Sequence, residues 1–207
     1  MVSKIAHTKY GKIEYTVAGQ GTPVLFVHGG HSNCFEKLAH KGFDDKEFQL
    51  ITPSRPGYGK TPLRGNGTPR QAADLIAELL EYLGMEKVVV YGVSAVGLTA
   101  IELAANYPDK VSKLILASAI SKKWLNGEEK TYKTAKILFS PRVEPITWGM
   151  VRLFCKITPR LVAKSIFPQF SNNGTFDIGE RDTRELASAL RHYRSKEGFV
   201  NDIDQDI

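Results

Sequence analysis

Short, mainly apolar runs recur through the first 118 residues and predict buried β-strands. They are residues 23–27, 48–52, 88–93 and 111–117. Runs of this kind are typical of parallel strands that are covered on both faces by helices. Before them, residues 4–9 and 12–18 alternate between apolar and polar side chains and predict an opening hairpin.

Helices are predicted between the later strands. Apolar residues lie three and four positions apart in residues 68–83 and 95–106, which is the spacing of an amphipathic helix. We also expect a short helix over residues 33–40. Strands and helices in this alternation predict an α/β fold with a mostly parallel sheet and helices on both faces. Ligands of such sheets bind at the carboxyl ends of the strands.

Beyond residue 118 the pattern changes to helices alone. The helical segments are residues 128–139, 145–155, 159–167 and 180–194, separated by prolines and by the Asn-Asn-Gly turn at 172–174. We therefore predict a core at residues 1–118, a helical cap at 119–200 and an acidic tail at 201–207. Asp202, Asp204 and Asp206 are expected to be exposed in a tail without clear structure.

Ser94 lies where the apolar strand at 88–93 changes into a helix. A serine on such a turn presents its hydroxyl at the edge of the sheet, and the N-terminus of the helix behind it favours developing negative charge. This nucleophile position requires small residues two before and two after the serine. Gly92 meets the first requirement, but Val96 occupies the second and Gly97 comes one place late. The alternative is that Ser94 is simply the N-cap of the helix.

Two glycines follow the strand at 23–27 in the sequence His28-Gly29-Gly30-His31. They allow a tight turn that presents backbone N–H groups to an incoming ligand. The loop at 54–61 partly matches a phosphate-binding loop, with Gly-Lys-Thr at its end. A phosphate-binding loop needs a helix that starts at the Lys-Thr pair, and the prolines and glycines that follow exclude one, so we do not expect nucleotide binding.

Composition narrows the function classes further. The 207 residues carry a net charge of +6, and the excess lies at 119–200, where 15 basic residues face 8 acidic ones without interleaved stacking aromatics. We therefore expect neither nucleic-acid nor membrane binding, and no run is long enough to span a bilayer. Cys34 and Cys155 are too far apart for a zinc motif, so neither a metal nor another cofactor is expected. Without an export signal, a cytoplasmic location is expected.

Three segments, in this order, resemble motifs of the α/β-hydrolase family. They are His28-Gly29-Gly30 after one strand, the loop at 54–61 after the next, and Gly92-Val93-Ser94-Ala95-Val96-Gly97 at the turn. The resemblance implies that Ser94 is the nucleophile and that the N–H groups of Gly30 and Ala95 form an oxyanion hole. It also implies that His31 and Tyr58 contact a small-molecule substrate. The expected reaction is hydrolysis of an ester, thioester, amide or C–C bond through an acyl-enzyme.

The chain differs from this family after the cap, where the acidic residue and the histidine base of the catalytic triad are expected. The family places both after later strands, and here no strand pattern follows the cap. We therefore expect a truncated serine hydrolase, weak or inactive as this chain alone, whose uncovered sheet edge self-associates or binds a complementing chain. The alternative is a non-catalytic ligand-binding or interaction protein on the same fold.

Overall fold

A six-stranded sheet organises the structure, a computed structural model that describes residues 2–37, 40–125, 127–166 and 179–205. Its strands are β1 (Lys4–Thr8), β2 (Gly11–Gly19), β3 (Thr22–Val27), β4 (Phe48–Pro53), β5 (Val88–Val93) and β6 (Val111–Ala117). The order across the sheet is β1-β2-β4-β3-β5-β6. The hairpin of β1 and β2 joins β4 in antiparallel fashion, whereas β4, β3, β5 and β6 are parallel. The predicted α/β class and mostly parallel sheet are confirmed.

Helices α1 (Pro69–Tyr82) and α2 (Gly97–Asn106) pack against each other and help to cover the sheet. Thr68 begins α1 with a capping box, because its hydroxyl accepts from the Gln71 N–H while the Gln71 side chain accepts from the Thr68 N–H. Leu75 and Leu79 of α1 are fully buried in the main core. These contacts fix the sheet rigidly, which in turn fixes the loops at its carboxyl edge.

β6 forms one edge of the sheet, since among the described strands it pairs only with β5. Ile115 and Leu116 on this strand are 42% and 40% exposed. A parallel strand usually lies inside a sheet with both faces covered, so this edge is unusually open.

Helices follow the sheet in the described residues and confirm the helical pattern predicted for this region; before the last of them come α3 (Lys130–Leu138), α4 (Glu144–Ile157), α5 (Pro159–Ile166) and α6 (Glu180–Leu190). They share a small core around Trp148, Cys155, Ala187 and Leu190. The predicted turn at 172–174 lies outside the described residues. No helix in the described ranges has both the length and the apolar character needed to cross a membrane.

The predicted unstructured acidic tail is wrong for the residues that the structure describes. Residues 198–204 form helix α7 (Gly198–Asp204), which buries Phe199 and Ile203 on one face against Tyr58. Asp202 is only 6% exposed. Charge alone predicts an exposed tail, whereas Phe199 and Ile203, four positions apart, pack this helix against the core.

The short helix predicted at 33–40 is also wrong in its described part, which consists of turns and irregular backbone. The Asn33 side chain accepts a hydrogen bond from the Phe35 N–H at 2.9 Å. This local bond offers the backbone an alternative to a helix.

Candidate active site

Ser94 follows β5 directly and opens a single 3-10 turn, Ser94–Val96, that leads into α2. Its φ is +58°, a left-handed conformation that a serine rarely adopts. The side chain is half-buried, and its Oγ makes no hydrogen bond to any residue that the structure describes. Because this hydroxyl caps neither the turn nor α2, the N-cap interpretation is wrong. The strained turn instead presents a free hydroxyl.

Packing explains why the second glycine of the turn, Gly97, comes one position later than the motif requires. The Ile120 N–H, in the segment after β6, donates to the Ser94 carbonyl oxygen at 3.0 Å. A Cβ on Gly97 would lie 1.9 Å from the Ile120 carbonyl oxygen. Position 97 therefore has to be glycine, while Val96 is accommodated with its side chain fully buried.

The glycine loop after β3 lies beside Ser94. β3 and β5 are neighbouring parallel strands, so their carboxyl ends meet at one edge of the sheet. A Cβ on Gly29 would lie 3.1 Å from the Ser94 Cβ, and one on Gly30 would lie 3.9 Å from the Ala95 Cβ. The Gly30 N–H has no hydrogen-bond partner among the described residues. The structure thus brings Ser94, Gly30 and Ala95 together at one edge of the sheet.

Arg55 holds this loop from behind. Its Nε donates to the His28 carbonyl oxygen at 2.8 Å, and its Nη2 donates to the Gly29 carbonyl oxygen at 3.2 Å. The same guanidinium makes two bonds to the Asp202 carboxylate, at 2.8 and 2.7 Å. Both side chains are almost completely buried. Because two loop carbonyls point towards Arg55, the intervening backbone is held in one orientation.

His28 completes this support and is not available as a base. Its Nε2 accepts from the Arg55 N–H at 3.0 Å, so its Nδ1 carries the proton and donates to the Gly29 carbonyl oxygen at 2.7 Å. Burial, and next the nearby Arg55 charge, hold the pKa of His28 well below its ordinary value. The residue is therefore neutral and structural.

Tyr58 supports the site from within the core and does not line an open pocket. It is fully buried, and its hydroxyl donates to Asp202 at 2.6 Å. Burial, and next the Asp202 carboxylate, raise the pKa of Tyr58 well above its ordinary value. Direct contact between Tyr58 and a substrate, as predicted from the sequence, does not fit this placement.

His31 lies at the junction between the loop and the later helices. Its ring stacks on Phe199 with centroids 3.8 Å apart and contacts Phe139 at 4.4 Å and Trp148 at 5.2 Å. Its Nδ1 lies 2.7 Å from the Ser195 Oγ. Burial, and next the Arg55 charge, lower the pKa of His31 to about 3. His31 is therefore neutral at physiological pH.

No hydrogen bond joins Ser94 to a histidine. His28 and His31 are engaged as described, and His40 pairs through Nε2 with the Thr52 hydroxyl at 3.2 Å. His7 lies on the distant strand β1. The fifth histidine, His192, lines a cavity of about 200 Å³ between the loop after His31 and helix α6.

Asp202 is the functional residue that sequence reasoning missed. Its carboxylate holds both Arg55 and Tyr58, and through them the loop beside Ser94. The spacing of Phe199 and Ile203 was the available signal, because it places Asp202 on a helix with a buried face. Across the described residues, no group of three or more His, Cys, Asp or Glu side chains is arranged to hold a metal.

These features belong to a recognised class of proteins. The sequence profile of the alpha/beta hydrolase fold matches residues 22–162. The chain belongs to the α/β-hydrolase fold family.

Individual relatives agree with this assignment. The chain is 38% identical over 199 residues to the uncharacterized hydrolase YcgS of Bacillus subtilis, covering 94% of this chain and 70% of that protein. It is 30% identical over 196 residues to the esterase Rv0045c of Mycobacterium tuberculosis, covering 90% of this chain and 63% of the esterase. An α/β-hydrolase fold protein from Nakamurella multipartita superimposes with a TM-score of 0.77 at 27% identity, over 98% of this chain and 73% of that one.

Proposed function

We propose that the protein is a serine hydrolase that cleaves small esters through an acyl-enzyme on Ser94. The observation that carries this proposal is the free Ser94 hydroxyl on a left-handed turn, next to a glycine loop whose Gly30 N–H is unpaired among the described residues. Membership of the family supports hydrolysis as the reaction, and the similarity to an esterase supports esters as the substrates. The same nucleophilic chemistry can also cleave thioesters, amides and C–C bonds.

In the proposed reaction the Ser94 Oγ attacks the ester carbonyl carbon, and the carbonyl oxygen becomes an oxyanion. The N–H groups of Gly30 and Ala95 would stabilise this charge, each by about 3 kcal/mol in comparable sites. The C–O bond to the alcohol then breaks, the Ser94 proton leaves with the alcohol, and water later releases the acid. Arg55 would contribute by holding the Gly29 carbonyl away from the oxyanion.

The general base is the part of the mechanism that the described residues do not supply. None of the five histidines is hydrogen-bonded to Ser94, and a serine nucleophile at neutral pH needs such a partner. We propose that this 207-residue chain acylates slowly and deacylates more slowly still. A second chain bound at the open edge of β6 is one proposed source of the missing groups.

Mixing the protein with p-nitrophenyl butyrate tests the proposal. We expect a burst of about one nitrophenolate per chain, followed by slow turnover, because acylation precedes the slower release of butyrate. Ser94→Ala should abolish the burst. Ser165→Ala, which removes a hydroxyl from the exposed surface of α5, is the control and should keep it. A burst of equal size in Ser94→Ala would contradict the proposal.

The lack of a hydrogen bond between Ser94 and a histidine among the described residues also favours a second candidate, a non-catalytic protein that binds an ester or acid in the same place. This candidate predicts saturable binding of butyrate without any burst. Stopped-flow absorbance and calorimetric titration on one preparation separate the two.

The open edge of β6 yields a further prediction about assembly. If this edge binds a second chain, Ile115→Lys should shift sedimentation velocity profiles from larger species towards the monomer, since a charge there opposes strand pairing. Ile146→Lys is the matched control, because Ile146 is also exposed but lies on α4. Equal effects of the two variants would exclude the edge as the specific contact.

A further inference from the structure

A chain of two hydrogen bonds links helix α4 to the glycine loop. The Trp148 Nε1 donates to the Ser195 Oγ at 2.7 Å, and this Oγ lies 2.7 Å from the Nδ1 of His31. Ser195 is fully buried. The neighbouring Arg194 N–H donates to the His31 carbonyl oxygen at 2.8 Å, so the segment is attached to His31 at two points.

The direction of these bonds follows from the chemistry of their groups. The indole of Trp148 can only donate, so the Ser195 oxygen must accept from it. The single proton of Ser195 then needs an acceptor, and His31 Nδ1 is the described atom in place to accept it. If Nδ1 carried a proton instead, the buried hydroxyl would lose its acceptor, which is costly. Neutral His31 therefore carries its proton on Nε2.

The Nε2 of His31 has no hydrogen-bond partner among the described residues. His31 as a whole is half-buried, so the residue is not sealed inside the core. Around this ring lie Phe139, Trp148 and Phe199. A polar N–H in an aromatic surrounding, one residue after Gly30, suits a ligand that is apolar apart from an acceptor oxygen.

We propose that His31 is a substrate-binding donor, fixed by Trp148 and Ser195 as the Nε2–H tautomer, which binds an oxygen of a small apolar ester or acid. This inference rests on the proposed hydrolase function and specifies its ligand. Trp148 and Ser195 are positioning residues, and they make recognition by the loop depend on the helices. Burial, and next the positive charge of Arg55, lower the pKa of His31, so the imidazole stays neutral.

Nuclear magnetic resonance of protein labelled with ¹⁵N-histidine tests the tautomer directly. We expect long-range ¹⁵N–¹H correlations to show a protonated Nε2 and an unprotonated Nδ1 for His31, unchanged between pH 8 and pH 5. Ser195→Ala and Trp148→Phe should each give a mixture of tautomers. Tyr132→Phe, which removes an exposed hydroxyl bonded to Asp204, is the control and should leave the pattern unchanged.

Binding is tested on the same samples with sodium butyrate, which carries only acceptor oxygens, and with n-butylamine hydrochloride, which carries only donors. Butyrate should shift the His31 Hε2 resonance downfield in a saturable way, and butylammonium should not. Ser94→Ala should keep this shift, so the result stands apart from the test of the nucleophile. A proton on Nδ1 in the unsubstituted protein, an unchanged tautomer in Ser195→Ala, or the same response to both ligands would overturn the proposal.

Discussion

Replacing Asp202 with asparagine is expected to lower the free energy of unfolding by about 3 kcal/mol or more, the usual cost of breaking a buried ion pair from one side. The substitution keeps the size of the side chain but removes the charge that offsets Arg55. The side chains of Arg55 and Asp202 are 3% and 2% exposed, so water cannot replace the lost partner. Burial alone would lower the pKa of Arg55, and the Asp202 carboxylate raises it above its ordinary value. Without Asp202 only burial would act strongly on this pKa, but arginine is not deprotonated in proteins, so the guanidinium stays charged in the variant.

Urea denaturation followed by circular dichroism measures this effect as a lower midpoint at an unchanged slope. Asp204→Asn is the matched control, since Asp204 lies on the same helix and pairs with Lys136 in a partly exposed position. Exposed pairs contribute little, so this control should change stability by less than about 1 kcal/mol. Equal losses in the two variants would show that Asp202 has no special role.

Replacing Gly97 with alanine is expected to destabilise the protein by about 2–3 kcal/mol, because an added methyl group would overlap a backbone atom. The Cβ would lie 1.9 Å from the Ile120 carbonyl oxygen, and that segment is held by the bond from the Ile120 N–H to Ser94. Relief requires movement of the turn itself. We therefore expect the nitrophenolate burst to be lost together with stability.

Gly149→Ala provides the control for this substitution. A Cβ at position 149, within α4, has no neighbour within 4 Å. Alanine there should stabilise the helix by about 0.5–1 kcal/mol and leave the burst intact. The contrast between the two variants, measured by urea denaturation, separates a close backbone approach from the general effect of replacing a helical glycine. A stable Gly97→Ala protein would refute the tight turn.

Most of the sheet could be predicted from the sequence, because apolar runs bounded by glycines and prolines are typical of β-strands. The later helices were predicted for the same reason, since their apolar residues recur at helical spacing. The position of Ser94 could be inferred because a strand-to-helix junction is a local pattern.

What the sequence did not reveal depends on contacts between distant segments. Asp202 was interpreted as exposed because charge usually indicates solvent, and its partner Arg55 is 147 positions away in the chain. The resemblance of its loop to a family motif suggests that Tyr58 contacts the substrate, whereas its hydroxyl is bonded to Asp202 inside the core. The tautomer of His31 depends on Trp148 and Ser195, which no local pattern connects to the glycine loop.

The central claim is that Ser94 is a nucleophile, and intact-mass analysis after treatment with a fluorophosphonate tests it most directly. We expect one adduct per chain, located by peptide mapping on Ser94, formed slowly and absent from Ser94→Ala. The Ser165→Ala control should be labelled like the unsubstituted protein. An unlabelled protein that circular dichroism shows to be folded, or an adduct that persists in Ser94→Ala, would show that Ser94 is not the nucleophile.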